Sequence, residues 1–125
     1  MKLKELVKAV RTLESLQYEK TDIHLSYKIM KLLKLTKDEV DFYDQTAQEI
    51  VKKFALKDEK GNYVQQNGNV MLDAKFKEDI EKETMELNEK EVEVPNIKFH
   101  IVDFENLKLS VVDLMNIEKF LIEEE

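Results

Sequence analysis

The sequence predicts an α+β fold, mainly α: a long antiparallel helical hairpin with a small β-ribbon at its tip, flanked by N- and C-terminal helices and one further short strand. Three observations predict it. Residues 22–56 carry an apolar track at three- and four-residue spacing with no glycine or proline, the pattern of a long amphipathic helix. Both glycines of the chain, Gly61 and Gly68, fall within "KDEKGNYVQQNGNVML", residues 57–72. Pro95, the one proline, ends the helical part, because the residue before a proline is driven toward extended geometry.

Each element has its own local signal. Leu3, Leu6, Val10 and Leu13, widened by Val7 and Leu16, predict a first helix of about four turns. "YEKTD" interrupts it, and Thr21 or Asp22 can cap the next helix, since a short side-chain oxygen satisfies exposed backbone N–H groups. In that second helix Ile29, Leu33, Thr36, Val40, Tyr43, Ala47, Ile50 and Phe54 form a heptad track resembling a coiled coil. Thr36 or Asp38 could cap a new start, so continuity through 35–39 stays open. Gly61 is expected to stop the helix and Gly68 to turn a hairpin, because Asn67-Gly68 suits a turn whose central residues have positive φ. A third helix follows over 73–92, with Phe76, Ile80, Thr84 and Leu87 on one face. "IKFHIV" alternates Ile97, Phe99 and Ile101 with Lys98 and His100, as a half-buried strand does. Ser110 with Asp113 three residues on forms a capping box, opening a last helix with Leu114, Ile117 and Leu121 on one face. The closing "EEE" is expected to fray.

Composition bounds the function. The 125 residues are expected to form one domain, 1–125, with a modest core. The absence of cysteine excludes disulfides, zinc–thiolate sites and thiol nucleophiles. No apolar run reaches the ~18 residues of a membrane span, and the N-terminus lacks the apolar block of a signal peptide. A cytoplasmic location is expected. The net charge of −7 is uneven: residues 1–37 hold nine Lys/Arg against four Asp/Glu, and the remainder eleven against twenty-three.

No catalytic pattern emerges. His24 and His100 lack a sequence-local acid–base or ligand partner, and Ser15, Ser26 and Ser110 lack a nucleophile-elbow glycine. A calcium loop beginning at Asp58 would put Tyr63 where glycine is required and Asn69 where a bidentate glutamate belongs. Glu78 with Lys82 and Glu86 with Lys90 read as surface i,i+4 pairs. Lys28, Lys31, Lys34 and Lys37 drift around their helix without a base-stacking signature. The chain is therefore read as a non-enzyme without cofactor or metal, and direct nucleic-acid binding is not expected.

The segments "LKELVKAVRTLESL", "LSYKIMKLLKL", "KDEKGNYVQQNGNV", "NEKEVEV" and "LKLSVVDLMNIEKFL", in this order, resemble a small family of uncharacterised phage and prophage proteins of Gram-positive bacteria. That resemblance implies a phage origin, and hence the cytoplasm of a bacterial host, and brings no catalytic residues. The expected partner is a protein. It is either a phage structural protein bound by an accessory or assembly component, self-association included, or a host nucleic-acid-binding or defence enzyme bound by a small acidic inhibitor. The ribbon residue Tyr63 and the third-helix acids Glu83, Glu86 and Glu89 are the candidate partner-binding residues. Assembly calls for self-association or a leftover apolar patch, inhibition for a concentrated acidic face.

Overall fold

The first helix, expected as a flank, is the centre of the molecule. In the computed structural model, which describes residues 1–122, α1 (Leu3–Glu14) buries Leu3, Leu6, Val7, Ala9, Val10, Thr12 and Leu13. It packs against all three other α-helices. Thr12 sits in this apolar surround because its hydroxyl donates to the Lys8 carbonyl (2.9 Å) and accepts from the Asn116 amide (3.1 Å). A buried hydroxyl without partners would be costly.

Helix α2 (Ile23–Phe54) is continuous for 32 residues, ~48 Å at ~1.5 Å per residue. The Asp22 carboxylate caps it, accepting from the N–H groups of His24 (2.9 Å) and Leu25 (3.1 Å). The possible restart at Thr36 does not occur: Thr36 is buried and its hydroxyl donates back to the Leu32 carbonyl (2.7 Å). The heptad track faces inward, although Leu33 is half-buried and the adjacent Leu32 is fully buried.

The stop is not at Gly61. α2 ends at Phe54, and Ala55 is already extended, because residues 54–57 are drawn into the ribbon. Leu56 N–H donates to Met71 (2.8 Å), Val64 N–H to Leu56 (2.9 Å) and Asp73 N–H to Phe54 (2.8 Å). Gly61 instead turns the chain after Asp58, whose carboxylate accepts from the N–H groups of Lys60 (2.9 Å) and Asn62 (3.0 Å). Strands β1 (Gln65–Gln66) and β2 (Asn69–Val70) pair antiparallel across Asn67 (φ 52°) and Gly68 (φ 80°), the two positive φ values that the dipeptide predicts.

Asp73 caps a 3-10 turn, Ala74–Phe76, that leads into α3 (Lys77–Asn88), shorter than the expected 73–92. α3 lies antiparallel to α2, with Phe76 against Phe54 (ring centroids 5.3 Å apart) and the Tyr43 hydroxyl donating to Asn88 (2.9 Å). The helical hairpin is thus present, but Thr84 is exposed rather than on the packed face. The chain then returns to the N-terminal segment: Leu3 N–H donates to Lys90 (2.8 Å) and Val92 N–H to Met1 (2.9 Å).

The strand expected over "IKFHIV" shrinks to β3 (Phe99–His100). The Asp103 carboxylate accepts from the His100 N–H (2.9 Å) and bends the chain into a 3-10 turn, Ile101–Phe104. Ile101 is consequently exposed, and Phe104 enters the core beside Phe99. α4 (Val111–Ile117) begins with the predicted capping box, Ser110 and Asp113 exchanging two 3.0 Å bonds. A 3-10 turn, Glu118–Phe120, ends the helix before Leu121, which lies in β4 (Leu121–Ile122), parallel to β3. α4 packs on α1, and Met30, in the first turns of α2, is exposed. The closing glutamates lie outside the described residues.

Candidate partner-binding site

The ribbon folds back over the last turns of α2 and leaves a groove of ≈ 320 Å³ between them, lined by Ala47, Gln48, Val51, Lys52, Tyr63 and Val70. Its α2 wall follows from helix periodicity. Ala47 and Val51 are one turn apart and share a face, as do Gln48 and Lys52. Its other wall exists because the two glycine turns bring residues 63 and 70 together against the helix. Tyr63 is 44% exposed, with the Lys57 ammonium 5.7 Å from its ring centroid, within cation–π range. A half-open tyrosine beside valines presents an apolar body and a hydrogen-bonding hydroxyl, a combination enriched where proteins meet.

The acids of α3 are dispersed. Glu83 faces α2 and pairs with Lys53 (2.9 Å), while Glu89 reaches the N-terminal segment and pairs with Lys2 (2.6 Å). Glu86 is exposed. The hydrogen bond and charge of Glu89 hold the Lys2 ammonium above its ordinary pKa. Neighbouring members of this set share a face, but Glu83 and Glu89 end up about 120° apart around the helix axis, and none of the three glutamates lines the groove beside Tyr63.

The expected i,i+4 pairs are likewise not formed among the described residues. The Lys90 ammonium lies 4.1 Å from the Phe42 ring centroid, and the salt bridges include neither Glu78 nor Glu86. The lysines of α2 diverge as their spacing implies: Lys28 donates to the Lys98 carbonyl (2.9 Å) and Lys37 pairs with Asp41 (2.6 Å). Asp58 spends its carboxylate on the turn, and no group of three or more His, Asp or Glu side chains is placed to hold a metal among the described residues. No helix is long and apolar enough to cross a membrane among them.

Sequence reasoning singled out Tyr63 but not the residues that line the groove beside it. Val51 lies off the heptad track and Val70 sits in a two-residue strand. Their sole signal was being apolar where periodicity left no core role. Comparison with protein-family models, curated proteins and solved structures finds no match to this chain.

Proposed function

We propose that the protein is a non-enzymatic protein-binding component, an accessory or assembly factor of a bacteriophage acting in the bacterial cytoplasm. The observation that carries the binding role is the apolar groove at the ribbon. Its walls are Ala47, Val51, Tyr63 and Val70, a water-facing apolar surface that a partner side chain can cover. The phage assignment is supported by the ordered sequence segments quoted above. The dispersal of Glu83 and Glu89 into internal ion pairs favours this reading over an acidic inhibitor, whose binding needs a concentrated negative face.

The test is capture of partners from phage-infected cells, followed by affinity measurement with the purified partner. Tyr63→Ala is expected to weaken binding at least about tenfold, ~1.4 kcal/mol, leaving the thermal midpoint and the salt dependence of binding nearly unchanged. A partner bound equally well by Tyr63→Ala and Val51→Glu removes the groove from the function. Loss of folding in Tyr63→Ala assigns the residue to the ribbon's own stability.

A further inference from the structure

At the opposite end of α2 a second cleft, ≈ 620 Å³, lies between the first turns of that helix and residues 96–98. Ile23 and Tyr27 give it apolar walls, while Lys28, Lys31 and Lys98 give it positive charge. Among the described residues no carboxylate lines it. Ile23 is 77% exposed. This cleft was not legible in the lysine spacing because Lys98 and Ile97 reach it from a distant segment.

The same chain carries the complementary surface. Glu78, Glu81 and Met85 stand at i, i+3 and i+7 on α3, hence on one face, pointing away from the face whose Ile80 and Leu87 join the core. Met85 is 64% exposed. An exposed methionine between acids matches a cleft with an apolar floor between cations. The two surfaces cannot meet within one molecule: α3 runs beside α2 between its Lys53 and Tyr43 contacts, and Tyr27 lies 16 residues before Tyr43, ~24 Å along the axis.

We infer that a second copy of this chain fills the cleft with the Glu78–Glu81–Met85 face of its α3, a helix-in-groove contact. A polyanion such as single-stranded nucleic acid is the weaker occupant, since it offers no flexible aliphatic side chain to cover the exposed Ile23. The inference stands apart from the Tyr63 groove, which lies at the far end of α2.

Sedimentation of three proteins tests it: the full wild-type chain, a cleft variant (His24→Glu with Lys31→Glu) and a helix variant (Glu78→Lys with Glu81→Lys). All four positions are exposed, so folding is preserved, and circular dichroism checks this. Wild type is expected to self-associate. Each variant alone loses this at least about tenfold in dissociation constant. The equimolar mixture regains a dimer, because one variant keeps the helix face and the other keeps the cleft. Met85→Ser weakens wild-type association without altering charge. A wild-type monomer at every concentration, or variants that associate like wild type, overturns the inference. So does a mixture that fails to regain the dimer, or a single-stranded oligonucleotide bound by a monomer and released by the cleft variant.

Discussion

Leu32 and Leu33 are neighbours in sequence and differ in what surrounds them. Leu32 is 0% exposed, while Leu33 is half-buried against the core. A buried leucine cut to alanine loses its transfer free energy and leaves a cavity, whereas a half-buried one leaves space that water enters. Leu32→Ala is expected to destabilise by ~2–5 kcal/mol and Leu33→Ala by ~1 kcal/mol, read from urea unfolding. Equal costs would show that the helix is rotated relative to this packing. The heptad track named Leu33 because strict 3.5-residue spacing points there. The real seam is wider, and it turns toward α1.

Among the elements, those specified by neighbouring residues were legible and those specified by distant ones were not. Asp22, Ser110 with Asp113, and Asn67-Gly68 each act within four residues of themselves, and each does what its chemistry predicts. The two-residue β3 and β4 strands pair residues 99–100 with 121–122, and nothing local announces that pairing. The walls of the Tyr63 groove have the same origin. The ribbon allows a direct check. At Gly68 φ is 80° and no atom lies within 4 Å of where a Cβ would stand. The cost of Gly68→Val is therefore backbone strain rather than a clash, ~1–2 kcal/mol. It is expected to appear as faster amide hydrogen exchange at Val64 and Met71, whose N–H groups bond within the ribbon, with α1 unaffected. Unchanged exchange at both amides would mean that the ribbon does not depend on this turn.

Over the whole molecule, charge ties the C-terminal turn to the central helix. Lys119 pairs with Glu5 of α1, and the hydrogen bond from Lys119 holds the Glu5 carboxyl below its ordinary pKa. A depressed carboxyl pKa contributes stability that is present above the unfolded value, about 4.3 for glutamate. That contribution is lost as pH falls from there through the lower folded-state value. Glu5→Gln is accordingly expected to lower the thermal midpoint at pH 7 and to reduce its fall on acidification. An identical pH profile in the variant would dissociate this pair from acid sensitivity. The effect is small because the pair is exposed to solvent.

The central place of α1 has a consequence for how the chain is made. α1 is synthesised before the three helices that cover it, α2, α3 and α4, and the last of them is the most distant, with Asn116 reaching Thr12 across 104 positions. A nascent chain can close the α2–α3 hairpin locally, but Leu3, Leu6, Val10 and Leu13 have no complete shelter until α4 has left the exit tunnel. Until then α1 carries uncovered apolar side chains outside the ribosome, a natural ligand for a chaperone stationed at the tunnel exit.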